Sequence, residues 1–370
     1  MIKDIIVNAR KVPPTPPVSQ QLWTWGQGAS GEHGLNLTGN QIISSPVQVG
    51  ALTNWLKTAS GTDFTIAIKT DGTLWAWGKN TYGQLGTSNT TTYSSPVQVG
   101  SGTTWSNIEC GQQHSLAIKT DGTLWSWGWN IYGQLGTGNK TTYSSPVQIG
   151  ALTTWTGLGG GGFNSYFIKN DGTLWGCGYG SYIGQGSATD RSSPVQITSL
   201  SNVKSVSSGP ETVHAVKTDG TLWGWGYNGE GQIGDGTVTD ANAPVQIGTQ
   251  TNWSMTQRGN QGYFTIAVKT TGTLWGWGQN TYGQLGTGNT TTYSSPVQVG
   301  ALTTWKSVSA GGNHTIALKT DGTMWGYGLN NNRQLGDGTG VNKSSPVQIG
   351  SYTTWVSSSS GLNFNHGIKT

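Results

Sequence analysis

The sequence predicts an all-β, seven-bladed β-propeller of four-stranded blades, closed by one blade that the N- and C-terminal ends share. Three observations predict it. Two unrelated sequence markers each recur seven times. Each interval between them carries signals for four short strands. The chain also starts and stops at complementary points of the same repeat.

The first marker is the run Leu22-Trp23-Thr24-Trp25-Gly26. It returns with Trp75, Trp125, Trp175, Trp223, Trp275 and Trp325 in place of Trp23, in steps of 52, 50, 50, 48, 52 and 50 residues. The second is Ser-Ser-Pro-Val-Gln, around Pro46, Pro96, Pro146, Pro194, Pro244, Pro296 and Pro346. A period of this length is the mark of a propeller or solenoid rather than of an ordinary two-domain protein.

Within one unit the elements follow in order. His114-Ser115-Leu116-Ala117-Ile118-Lys119 alternates apolar and polar residues, as a half-buried strand does. Asp121-Gly122 is a hairpin turn, and Leu124-Trp125-Ser126-Trp127-Gly128 is the return strand. A glycine-rich loop through Gly136 follows. Pro146-Val147-Gln148-Ile149 is an edge strand, where a missing backbone N–H is tolerated. The small-residue runs Ser205–Gly209, Ser307–Gly311 and Val356–Gly361 belong innermost, where seven strands converge on a channel. The chain ends at Gly367-Ile368-Lys369-Thr370, just before the hairpin turn of a normal copy, and its first copy opens at Leu22-Trp23, just after one. One blade therefore takes two strands from each end, which leaves no open sheet edge in the ring.

Residues 21–370 form the propeller, and residues 1–20 lie outside the repeat as an extended arm. Its Ile2, Ile5, Ile6 and Val7 suit pairing with another chain, and Val12-Pro13-Pro14-Thr15-Pro16-Pro17 suits a stiff spacer.

Composition narrows the function. Charged residues make up 9% of the chain, far below the roughly 25% of an average protein. The net charge is +4, of which the first 20 residues supply +2. No basic stripe suits a phosphate backbone, so no nucleic acid is expected. No apolar run is long enough to insert in a membrane. The N-terminus lacks the apolar core of a signal peptide. No catalytic triad, paired carboxylate, metal-ligand spacing or phosphate loop is present, so no enzyme activity, cofactor or metal is expected. Asp71, Asp121, Asp171, Asp219 and Asp321 read as turn residues. Cys110 and Cys177 occupy different repeat positions and read as unpaired buried thiols. His114 and His314 share a position with Phe64, Phe264 and Phe364, which makes it a packing position.

The run from Gly111 to Gly136, and again from Gly311 to Gly336, resembles the regulator of chromosome condensation (RCC1) repeat. The resemblance covers residues 21–370 and implies the seven-bladed propeller of that family. The family spans nucleotide exchange factors for small GTPases, a plant ultraviolet photoreceptor, a secreted β-lactamase inhibitor and many microbial and phage proteins. Exchange activity implies a specialised interaction face or an inserted wedge, and the even spacing leaves no room for a large insertion. The photoreceptor's Gly-Trp-Arg-His-Thr motif is absent, with Gly312-Asn313-His314-Thr315 in its place.

The 19 tryptophans invite a sugar-binding reading, but most fall at fixed repeat positions that inter-blade packing explains. Trp129 breaks the pattern, because the same position holds Lys79, Tyr179, Tyr227 or Gln279 elsewhere. Lys69, Lys119, Lys169, Lys217, Lys269, Lys319 and Lys369 form a seven-fold set, expected to extend past the blade edges and pair with Asp or water. Residues 171–240 diverge from the other repeats and carry Asp190, Glu211, Glu230 and Asp240. With Trp129 they form the candidate partner-binding sector.

The leading expectation is a non-enzymatic virion component of a bacteriophage (capsid decoration, fibre or tail protein), made in a host cytoplasm and docked to an assembly protein through its arm. The alternative is a soluble, cytoplasmic protein-binding propeller acting as inhibitor or regulator, or a lectin for a surface glycan.

Overall fold

The computed structural model describes residues 19–259 and 262–370. The expected docking residues Ile2, Ile5, Ile6 and Val7 lie outside them, as does the Pro-rich spacer.

Seven four-stranded antiparallel sheets form the ring. In blade 2 the order from the centre outward is β3 (Trp55–Ser60), β4 (Phe64–Lys69), β5 (Leu74–Gly78) and β6 (Tyr93–Gln98). Blades 3 to 7 repeat this order through β26 (Lys343–Gln348). Blade 1 is the shared one. It joins β27 (Trp355–Ser360) and β28 (Phe364–Lys369) to β1 (Gln21–Gly28) and β2 (Gln41–Gln48), with Leu22 opposite Ile368. The predicted closure and strand order are both present.

The innermost strands surround a cavity of about 200 Å³ to which every blade contributes. Ser, Thr, Gly and Ala dominate its wall, as crowding at the axis requires. Lys57, Glu109 and Arg258 interrupt them. Lys57 Nζ donates to Asn107 Oδ1. Burial raises the Glu109 carboxyl, an effect the Lys57 charge opposes. Arg258 Nη1 donates to Thr265 Oγ1 at 3.1 Å, and burial lowers its guanidinium to about 9.

Between blades the core is aromatic. Trp25, Trp77, Trp127, Trp225 and Trp277 are fully buried. Each indole N–H donates to a loop carbonyl of the preceding blade: Gln334, Glu32, Gln84, Tyr182 and Gln232 respectively, at 2.7–3.1 Å. These bonds satisfy a donor that burial would otherwise leave unpaired, and they tie each blade to its neighbour. Cys110 and Cys177 are buried free thiols, and Cys177 Sγ takes the indole's role toward Gln134 O at 3.3 Å.

Candidate functional site

The propeller has two faces, built from different loops. On one face the hairpin turns repeat a single design. Asp71 Oδ1 accepts from the Thr73 N–H at 3.0 Å and from Thr73 Oγ1 at 2.7 Å, and Thr73 Oγ1 accepts from Trp75 Nε1 at 2.9 Å. The same relay holds from Asp121, Asp171, Asp219 and Asp321, so these carboxylates do the turn chemistry expected of them. In the shared blade no hairpin joins these strands, and Trp23 Nε1 has no partner there.

Six of the seven lysines depart from expectation on this face, because they lie over aromatic rings instead of extending to an Asp. Lys69 Nζ lies 3.5 Å from the Trp75 ring centre and 4.9 Å from that of Trp55. Lys119, Lys169, Lys269 and Lys319 sit between the equivalent tryptophan pairs, and Lys369 lies over Trp23 and Tyr352. Two electron-rich ring faces attract the ammonium while its stem covers apolar surface. Lys217 is the departure. Val203 stands where the inner tryptophan would be, Lys217 is 5.9 Å from Trp223, and it pairs with Asp219 at 3.2 Å. Lysine thus caps the outer tryptophans that a sugar ring would need.

On the opposite face the repeat breaks down. In six blades the third strand ends in a glycine with positive φ, such as Gly178 at 113°, and in the shared blade Gly26, within β1, holds the equivalent place at 100°. A Cβ at Gly178 would lie 2.1 Å from Phe163 O. The close approach lets the next residue, Tyr179, donate its N–H to Phe163 O at 3.1 Å. The same bond occurs in all seven blades, so one side-chain pair per blade is held at one backbone position. The pairs are Asp63 with Lys79, Gln113 with Trp129, Phe163 with Tyr179, Glu211 with Tyr227, Tyr263 with Gln279, Asn313 with Leu329, and Asn363 with Gln27. No two are alike.

Across blades 2, 3 and 4 these positions assemble a continuous aromatic arc. Trp129 meets Tyr82 at 5.8 Å between ring centres, Tyr132 at 6.0 Å and Phe163 at 5.8 Å. Tyr132 meets Tyr179 at 5.2 Å, and Tyr179 meets Tyr182 at 5.4 Å. All six rings are half-buried, so each keeps a solvent-facing surface. In blades 5 and 6 the arc turns acidic. Tyr182 lies within electrostatic reach of Glu211, Asp240 and Tyr227, and burial together with those neighbours pushes its phenol up to about 12. Tyr263 meets Tyr227 at 5.6 Å and feels Glu211 and Glu230. The Glu211 carboxyl is raised by burial first and by Asp240 second.

The structure therefore brings Trp129, Glu211, Glu230 and Asp240 onto one face. Asp190 is used differently: one oxygen accepts from the Gly180 N–H at 3.1 Å, and the other pairs with Lys140 at 2.9 Å. Asp240 likewise braces its loop through the Asn228 N–H at 2.8 Å, with one oxygen. Sequence reasoning missed Tyr82, Tyr132, Phe163, Tyr179, Tyr182, Tyr227 and Tyr263. For Phe163 and Tyr263 a signal was available, because the residue preceding each second strand is among the most variable positions of the repeat. No group of His, Cys, Asp or Glu that could hold a metal ion occurs among the described residues.

Comparison with known proteins agrees with this architecture. The RCC1-like domain family model matches residues 18–261, more than half of the chain. The regulator of chromosome condensation (RCC1) repeat model matches residues 271–318 and 321–365. The crystal structure of human WBSCR16 superposes with a TM-score of 0.83 at 21% identity, covering 95% of this chain and 99% of that one. Prp20p from Saccharomyces cerevisiae superposes at 0.82 with 19% identity, covering 95% and 92%. At these identities the likeness is one of fold.

Proposed function

The chain belongs to the regulator of chromosome condensation family of propellers, and from that premise we propose that it is a non-enzymatic protein-binding module whose partner seats on the aromatic–acidic arc. The observation that carries this reading is the contrast between one backbone position repeated seven times and the seven different side-chain pairs placed on it. Folding requires the backbone position but not that variety. Half-buried tyrosine and tryptophan give a protein partner large, rigid contact area at low entropic cost, and they are enriched where interfaces concentrate their energy. Relatives of this fold engage proteins: Prp20p has binding properties toward Gsp1p and histones, and it has been crystallised with Kap60.

The virion reading docks the chain through Ile2, Ile5, Ile6 and Val7, outside the described residues, and rests otherwise on the near-identical repeats and low charge of the sequence. A lectin reading loses its support where lysines cap the tryptophans. Site-specific photo-crosslinking in the native cell tests the proposal. A benzoylphenylalanine at Ile131, exposed beside Trp129, is expected to capture a discrete protein, and Trp129→Ala removes the adduct. The same probe at Leu152, exposed and distant from the arc, captures none. Equal capture at both positions, or none at Ile131, would sink the reading.

A further inference from the structure

The acidic end of the arc has an unusual electrostatic state. Most acidic side chains among the described residues have an internal partner. Asp63, Asp190, Asp219 and Asp337 form ion pairs with lysines. Asp71, Asp121, Asp171, Asp321 and Asp235 accept from threonines in turns. Glu32 accepts from the Ser30 N–H, and Glu109 faces Lys57. Glu211 and Glu230 have neither a hydrogen bond nor an ion pair to their carboxylates among the described residues, and Asp240 uses only one oxygen. These three share one sector, and no basic side chain pairs with them there.

Tyrosine rings surround the same sector. Tyr227 and Tyr263 stand edge to face at 68°. Gly229 makes room for the first of them, since a Cβ there would sit 2.2 Å from the Tyr227 hydroxyl. Tyr182, in ring contact with Tyr179 of the aromatic arc, lies within electrostatic reach of Glu211 and Asp240. A half-buried carboxylate that burial and a like-charged neighbour destabilise gains from a cation, and the tyrosine faces attract the same cation.

We propose that Glu211 and Asp240, walled by Tyr182, Tyr227 and Tyr263, form a subsite for an arginine side chain of the protein partner. Arginine fits better than lysine. Its planar guanidinium stacks on a ring face while its N–H fork addresses two carboxylates, and it is the more weakly hydrated cation. The apolar residues flanking that arginine then lie along Tyr182, Tyr179, Phe163 and Trp129. This subsite rests on the protein-binding reading above and gives it polarity, with a basic end over blade 5 and an apolar end over blade 3.

The test titrates the intact propeller with acetylated triarginine and with the neutral isostere tricitrulline, following the ring resonances of isotope-labelled tyrosine. Triarginine is expected to shift Tyr182, Tyr227 and Tyr263 and to bind at least about ten-fold more tightly than tricitrulline. Glu211→Gln, which preserves shape, should remove most of that difference. Gly229→Ala, which displaces Tyr227 without changing charge, should weaken binding as well. The subsite is overturned if tricitrulline binds as well as triarginine, or if Glu211→Gln leaves the titration unchanged. It is also overturned if the shifts appear away from these tyrosines. Should Ile131 crosslinking stay sensitive to Trp129→Ala in that event, the subsite falls while the protein-binding reading stands. Loss of the crosslink result with an intact triarginine titration removes the parent reading and leaves only a cation site.

Discussion

The two faces of the propeller are built on the same repeated backbone, yet they are composed by opposite rules. On the turn face, lysine lies between tryptophan rings in blade after blade, above an Asp–Thr–Trp relay. On the arc face, one hydrogen-bonded backbone position carries seven different pairs. Repetition marks what folding requires at every blade. Variation marks what folding leaves free. Blade 5 departs on both faces: it lacks the inner tryptophan, with Val203 in its place, and it carries Glu211 and Asp240.

The largest expected effect lies in the buried interior of the blades. His33, His114, His214, His314 and His366 are all buried, and burial lowers them to about 4, 3, 3, 4 and 3. Each is neutral in the fold, whereas the unfolded chain binds a proton near 6.5. Their stabilising contribution is therefore present above the unfolded value and is lost as pH falls from about 6.5 toward 3–4, on the order of 3 kcal/mol each. Circular dichroism should show cooperative acid unfolding in that window. A fold stable at pH 3 would remove the distinction between a dry core and a wet arc.

Next in size is a direct comparison of tryptophans. Trp305 is buried against Trp325, so Trp305→Ala should cost about 3–5 kcal/mol in denaturant unfolding. Trp129→Ala should cost about 1 kcal/mol or less while abolishing crosslinking at Ile131. Equal losses would mean that the arc serves folding.

Glu32 acts in the opposite direction to the histidines. Burial raises its carboxyl to about 7, so its favourable neutral form is fully present below about 4.5 and is lost as pH rises through 7. Glu32→Gln should therefore stabilise the protein at pH 8 by about 1–3 kcal/mol and have little effect at pH 4. A stability–pH curve unchanged in its alkaline limb would show that Glu32 ionises freely. The smallest effect separates regular from divergent blades. Lys119→Met should lose about 0.5–1 kcal/mol of cation–π stabilisation, and Lys217→Met close to none. A double comparison by thermal unfolding reads the difference, and equal losses would contradict the geometry.

The function-bearing residues were only partly legible. Trp129 stood out because a repeated sequence makes a misfit visible, and Glu211, Glu230 and Asp240 stood out as a local excess of acid. Tyr132 and Tyr182 sit in loops whose glycines and glutamines repeat, so they read as scaffold. Phe163 is marked only by the variability of its column, which shows when the seven repeats are compared position by position. Tyr132 and Phe163 lie 5.3 Å apart, but they belong to adjacent blades. The lysines were placed correctly in number, but only Lys217 takes the expected Asp partner, and the other six take rings. An Asp two residues away in sequence is visible from the chain, but two tryptophans from separate strands are not.

The sequence by itself determined the blade count, the strand order and the closure through the shared blade, because those follow from local turn chemistry, strand periodicity and where the repeat begins and ends. Tertiary structure alone decided which side chains meet across blades. The ring brings together residues some thirty or fifty positions apart, and it places side chains from three separate positions of the repeat along one arc.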